Sequence, residues 1–549
     1  MWAIAGMMLV VGILAGSPLY AETTAERLLK QDIDRRDQER RDQRWDESHT
    51  PNAVLPGPQA PTTPSEPSAN PAACFTLHHI QLNPGHILAP ERAHKIVAAY
   101  QGRCVQAADL AALQEALNAE ALAEGLVTTR VVVPEQNLAS GKLMLEVWPG
   151  TLEKLQSASL THRQLAQACP QRPGDLLQLR ALEQTVDNFN RLASWQASVE
   201  LQPAQKVGGS IADFTVVRTA PWQAGISWQG DALNGESSHT VRANLTLDNP
   251  LRLLDRLTLG LNGNLKDGQV DDAHGGSMDY DLPLGWWRFS AGADRFDYKN
   301  PITAGVTTFV ASGESQSWRA EISRVLHRDA HNRFSMALHG KERLSHNFIN
   351  DVTIGVSSNR VYAMGLRSDF SRVAAPWVFD ATLDAETGRA SSPALISPID
   401  NDYSRVLSNS RLQYYFERAS LTGSVSGQWS DSRLAPSEQF TLTSQVPGFI
   451  PVSLNANTGI SAQLEMAYPF LMNRAGFTSL RPTFGLAWAL APHAAGNISR
   501  EQVTAIETGI TAPWRRAVMN MGADFPVEKT SSIQAPDNWQ LHASFSVQW

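Results

Sequence analysis

The feature that most restricts the fold of this chain is a period of two. From about Asp213 to Trp549, apolar and polar residues alternate in short runs separated by turn residues. Examples are Asn244-Leu-Thr-Leu-Asp, Leu257-Thr-Leu-Gly-Leu-Asn-Gly-Asn-Leu, Phe334-Ser-Met-Ala-Leu and Leu412-Gln-Tyr-Tyr-Phe-Glu. Side chains on a strand point alternately to its two faces, so each run offers one apolar and one polar face. The final run, Leu541-His-Ala-Ser-Phe-Ser-Val-Gln-Trp549, keeps the alternation to the last residue, with Phe545 and Trp549 on its apolar side. No segment beyond the N-terminal run approaches the roughly 20 uninterrupted apolar residues that a spanning helix needs. A bilayer admits only helices and closed barrels, because each backbone N–H and C=O must find a partner inside the protein. The reading is therefore a transmembrane barrel over 213–549, with about sixteen antiparallel strands at roughly 20 residues per strand and connection. Phe545 and Trp549 belong to the closing strand.

The N-terminal part is different. Met1 to Ala21 is an apolar run followed by Ser17, Pro18 and the small residue Ala21, the pattern of a cleavable secretory signal, although no Lys or Arg precedes it. Residues 22–48 carry opposite charges at helical spacing, Asp32 with Arg36 and Asp37 with Arg41. A helix polar all round has no core to dock on, so it stands in water or fills a polar cavity. Residues 49–73 hold seven prolines among Ser, Thr and Ala and read as an extended tether. Residues 74–150 follow the order β-α-α-β-β, a compact α+β unit. A shorter unit of similar order covers 151–212, with a helix over Leu179 to Leu192 and a strand over Gln196 to Leu201.

Export from the cytoplasm bears on the three cysteines, Cys74, Cys104 and Cys169. A Cys74–Cys104 bridge is one reading in an oxidising compartment and three buried thiols is another; the odd count leaves at least one thiol outside any such pair. A formal net charge of −8 offers no basic surplus for nucleic acid. No His-Glu-x-x-His, Gly-x-x-x-x-Gly-Lys-Ser/Thr or Gly-x-Ser-x-Gly occurs, and the neighbours His78 and His79 point to opposite faces of a strand. The sequence thus proposes no catalytic residue, no metal site and no cofactor.

In the order of its parts the chain resembles the two-partner secretion (type Vb) outer-membrane transporters, the TpsB or haemolysin activation and secretion family of the POTRA-barrel superfamily. The resemblance rests on Cys74-Phe75, Gly125-Leu-Val-Thr-Thr-Arg-Val, Glu146-Val-Trp-Pro-Gly150, Leu182-Glu-Gln and Asn190-Arg-Leu. It continues with Leu247-Asp-Asn-Pro-Leu251 and Asp255, Tyr280-Asp-Leu-Pro-Leu-Gly285, and Leu434-Ala-Pro-Ser-Glu-Gln-Phe440. It implies two POTRA domains, an N-terminal plug helix and a mostly β protein in the Gram-negative outer membrane. Its implied partners are a large secreted adhesin, haemolysin or toxin, outer-membrane lipids and the barrel-assembly machinery, with the transporter acting as a monomer. A barrel-assembly insertase or repurposed channel of the same superfamily is the alternative reading.

The resemblance also implies a long inward-folded loop. Its base would be Pro436, Ser437, Glu438, Gln439 and Phe440, and its tip Val446, Pro447, Gly448 and Phe449. The family's tip carries an Arg that pairs with an acid on the barrel wall; here Pro447 stands in the place of the Arg. Phe484, Leu486 and Trp488 align with the wall pattern Phe-x-Asp-x-Gly, with Leu486 in the place of the acid. The expectation is that charge and counter-charge were lost together, since a lone buried charge costs several kcal/mol.

Overall fold

The computed structural model describes residues 19–21, 24–49, 74–233, 236–266, 269–304, 307–355, 357–394, 399–442, 445–449, 454–474, 476–492, 500–529 and 539–549. The Pro-rich tether and most of the expected signal lie outside these.

The first α+β unit is built on a sheet whose middle strand is Lys142–Trp148. His79–Asn83 pairs with it in parallel and Arg130–Val132 antiparallel. Helices Pro90–Ala98 and Ala107–Ala123 cover one face and bury Val97, Leu113 and Leu117 against Ile80, Leu143 and Leu145. The strand that follows the second helix is short, because Leu126 and Val127 turn inward as core residues before the sheet begins at Arg130. Cys74 and Cys104 form a disulfide that fastens the start of the unit to the strand Cys104–Val105. Cys169 is a buried free thiol, and burial pushes its pKa up.

The second unit repeats the plan, with Gly209–Arg218 in the middle, Thr151–Gln156 parallel to it and Trp195–Pro203 antiparallel. Helix Leu179–Asn190 seals its core through Leu182, Val186 and Phe189. The expected boundary between 212 and 213 needs correction, since it falls inside the middle strand. Phe214 and Val216 belong to this core, so the unit runs to Arg218 and the barrel starts at Trp222.

The barrel is closed and has sixteen antiparallel strands. The last, Gln540–Gln548, pairs with the first, Trp222–Leu233, placing Phe545 opposite Trp228; the Trp549 and Ala224 backbones also bond to each other. Closure leaves no unpaired strand edge to face lipid.

Two of the described elements that lie inside the barrel pack on its wall. Helix Thr24–His49 packs against lumen-facing wall, and the connection between strands Ser420–Trp429 and Gly459–Ala467 folds inward.

Candidate functional site

The lumen is the candidate site, and its occupants are held in contrasting ways. The helix is held mainly through charge. Arg36 pairs with Asp32 on its own helix at 2.8 Å, as the spacing predicts, and with Asp294 of the wall at 3.0 Å; it also donates to the Arg295 carbonyl at 3.3 Å. Asp37 pairs with Arg40, whereas Arg41 turns to Gln38. Nearer the C-terminal end, Arg411 of the wall lies 3.5 Å from Asp42 and stacks over the Trp45 ring. Among the described side chains of the helix, Leu29 and Ile33 form an apolar foot against Ala273, Phe296, Tyr298 and Ala311.

The loop base is held by one carboxylate. Pro436–Glu438 forms a 3-10 turn that delivers the Glu438 side chain into the wall. There Glu438 meets Lys341 at 2.6 Å, Arg343 at 2.7 Å and Arg405 at 2.6 Å. Glu386 closes the cluster, 3.1 Å from Lys341 and 3.0 Å from Arg405, and accepts a hydrogen bond from the Tyr403 hydroxyl. Two carboxylates thus face three cations, all buried except the partly exposed Lys341, a network in which each charge has a partner. The other base residues complete the anchor. Arg343 donates to the Ser437 carbonyl and Gln439 to the Leu434 carbonyl, while Gln428 donates to the Glu438 carbonyl. Phe440 lies over Gly459, where any Cβ would clash with its ring at 2.4 Å. Pro436 and Ser437 also line a small void together with Leu29, Lys30 and Ile33, so helix and loop base adjoin.

The loop tip is held by apolar contact. Val446 and Phe449 are fully buried against Ala487, Ala489, Val503 and Ala505. Gly448 has φ +87°, a conformation that L side chains rarely adopt, and passes so close to Asp524 and Pro526 that a Cβ would sit 3.2 Å from the Asp524 Cβ. Pro447 between them is partly exposed.

The expected wall partners need correction. In strand Phe477–Pro492 the even positions face outward, leaving Phe484 and Leu486 on the exposed outer surface with Trp488 in the same register. The residues that meet the tip are the small odd-numbered ones. Nor is the wall stripped of acid, because Asp524 lies under the tip and pairs with His542 at 3.1 Å. The charged cluster around Glu438 was not anticipated either, although Lys341, Arg343 and Arg405 each occupy a lumen-facing position of an alternating strand.

Several short motifs singled out in the sequence converge on the junction between the second unit and the barrel. Ser194 N–H donates to Asp248, Asn188 to the Gly285 carbonyl, and Arg191 pairs with Asp281. Arg328 of the barrel reaches Asp187 at 2.5 Å, Gln184 at 3.1 Å and Glu183 at 3.6 Å. Burial raises the pKa of Glu183, against the pull of Arg180 and Arg328.

A closed barrel with two α+β units at its entrance and a lumen filled by a helix and a loop defines an outer-membrane transporter of the POTRA-barrel class. Residues 75–150 match the POTRA domain, ShlB-type, and 151–203 a further POTRA domain. Residues 208–488 match the haemolysin secretion/activation protein ShlB/FhaC/HecB, and the chain belongs to that family. It is a two-partner secretion translocator of the outer membrane, with its POTRA domains in the periplasm. Among relatives, the outer membrane transporter CdiB of Dickeya dadantii is 27% identical over 70% of this chain and 71% of its own. The hemolysin transporter protein ShlB of Serratia marcescens is 25% identical over 90% and 88%. The solved CdiB from Escherichia coli shares the fold, with a TM-score of 0.82 and 21% identity over 96% of this chain and 100% of that one.

Proposed function

We propose that this protein takes up a large secreted polypeptide, unfolded, from the periplasm and passes it through the barrel lumen without ATP. The observation that carries this reading is the contrast inside the lumen. The helix is a separate element seated largely by ion pairs, whereas the loop base is tied into the wall by a buried network. The helix meets the wall through one largely buried pair, Arg36 with Asp294, and one exposed pair, Arg411 with Asp42, the latter contributing ~0–1 kcal/mol. The prolines of residues 49–73 imply a tether which, at about 3.1 Å per residue in an extended conformation, would be long enough to let the helix leave without dragging the POTRA units. Ile80–Leu82, Arg130–Val132 and Val199–Leu201 all lie on edge strands of the POTRA sheets, where an extended cargo can add by backbone pairing. Folding of the cargo outside the cell supplies the direction.

The cargo is an adhesin, haemolysin or toxin encoded nearby. The barrel-assembly machinery reads the closing strand with Phe545 and Trp549, outer-membrane lipids surround the barrel, and the transporter acts as a monomer with no catalytic step, metal or cofactor. The insertase alternative lacks the support of the family match.

The deciding experiment follows the neighbouring-gene product at the cell surface and in culture supernatant. It compares strains in which the transporter is present, absent, or deleted over Val446–Phe449. Loss of export in both defective strains, with the deleted barrel still in the outer membrane, supports the reading. Unchanged export overturns it.

A further inference from the structure

Beyond its anchor, the loop carries a small sheet in the lumen. Its middle strand is Leu454–Ala456, paired on one side with Phe440–Thr441 of the same loop. On the other side lie residues 19–21 of the chain, antiparallel, with Leu19 opposite Ala456, Tyr20 opposite Asn455 and Ala21 opposite Leu454. An extended peptide from a remote part of the sequence therefore occupies this edge by backbone pairing. Those three residues are the end of the expected signal peptide, and removal of residues 1–21 vacates the edge.

We propose that the free edge of Leu454–Ala456 is a strand-acceptor site for an extended segment of the polypeptide in transit, with residues 19–21 standing in for it. The proposal rests on the export reading above. Pairing with a strand edge uses the backbone N–H and C=O that every residue except proline carries in full, so it accepts unrelated sequences. A translocator needs that tolerance.

The strand is also held in position to act. Ala456 is packed with Phe440 and the wall alanines, Asn457 accepts from Gln428 through its carbonyl and from the Leu434 N–H through its side chain, and Thr458 is bonded to Ser430. The acceptor thus stands on the anchored base of the loop, not on its tip. A ladder of three residues grips weakly, which suits a chain that must move on. Water in the lumen satisfies the edge between occupants, a condition that lipid would not allow.

The test traps a cargo in passage. A cargo with a disulfide-locked folded domain at its trailing end is stalled in the full-length transporter carrying Asn455→Cys, and single cysteines are scanned along the cargo. Ala456→Cys serves as a second acceptor position, and Arg411→Cys, on the wall beside the helix, as a reference. An antiparallel partner shows every second side chain on the same face, so trapping at 455 is expected to alternate several-fold between neighbouring cargo positions, with the opposite phase at 456. Trapping at 411 without alternation at 455 or 456 overturns the acceptor site while leaving export through the lumen intact. No trapping at any of the three overturns both. Retention of residues 19–21 in the mature protein, read by N-terminal sequencing, also overturns the proposal, because the edge is then permanently filled.

Discussion

Arg405 holds a single loop residue twice: its Nη2 lies 2.6 Å from the Glu438 carboxylate, and its Nη1 donates to the Glu438 backbone carbonyl at 2.5 Å. One wall arginine thereby fixes both the side chain and the main chain of the loop at its base. The polarity is the reverse of the expected lock, in which the loop supplies the cation and the wall the acid.

Glu438→Gln removes the counter-charge of Lys341, Arg343 and Arg405 and leaves Glu386 alone among three cations. Breaking a buried pair in this way costs about 3–5 kcal/mol. The expected outcome is a barrel that assembles but loses its folded, fast-migrating form on gels at a lower temperature and conducts more ions across a planar bilayer. Glu438→Asp, which keeps the charge, is expected to lie between. A variant indistinguishable from the parent in both measurements refutes the anchor.

The outward position of Leu486 excludes a restored Arg–acid lock between positions 447 and 486. A carboxylate placed at 486 faces outward on a membrane strand, where a charge destabilises by up to a few kcal/mol depending on depth. Leu486→Asp should lower the barrel's resistance to heat and urea, and Pro447→Arg combined with Leu486→Asp should be no better than Leu486→Asp alone. Milder behaviour of the double variant contradicts the outward placement.

Gly448→Ala tests the tip. The positive φ and the approach to Asp524 and Pro526 together disfavour any Cβ, at about 1–2 kcal/mol for the backbone conformation. Increased proteolysis within 442–458 in folded barrels is the expected reading, with the barrel strands themselves still protected.

Arg328→Ala is expected to loosen the second POTRA unit from the barrel, since it leaves the buried Glu183 without its barrel partner. Cleavage between residues 218 and 222 by added protease should accelerate while barrel migration stays unchanged. Equal cleavage rates in parent and variant indicate that the backbone contacts of Asn188 and Ser194 suffice.

Reduction of Cys74–Cys104 opens a link between residues 30 apart in sequence. Closing a loop of that size stabilises by roughly 3–4 kcal/mol in the chain-entropy account. Reductant, or Cys74→Ser, should sensitise 75–150 to protease without altering the barrel.

Much of this was legible locally. The alternation of the barrel strands, the charge spacing of the helix and the β-α-α-β-β order are short-range patterns set by backbone geometry. The stretch Phe484-Gly-Leu-Ala-Trp-Ala-Leu-Ala491 illustrates both success and failure. Its large residues at even positions and small ones at odd positions already state which face is crowded. The family's wall pattern falls on the large set, which faces outward, and a one-residue shift of face exchanges every side chain.

The sequence by itself determined the class of structure: strands that span, two small α+β units and a helix too polar for a core. The tertiary structure alone decided which charges meet. Lys341, Arg343, Glu386, Arg405 and Glu438 are brought together across 97 residues, the separation of Lys341 from its partner Glu438, and Asp294 finds Arg36 from the far end of the chain. Period and propensity act between near neighbours, whereas a lumenal ion pair depends on the register and closure of the whole barrel, which no local pattern encodes.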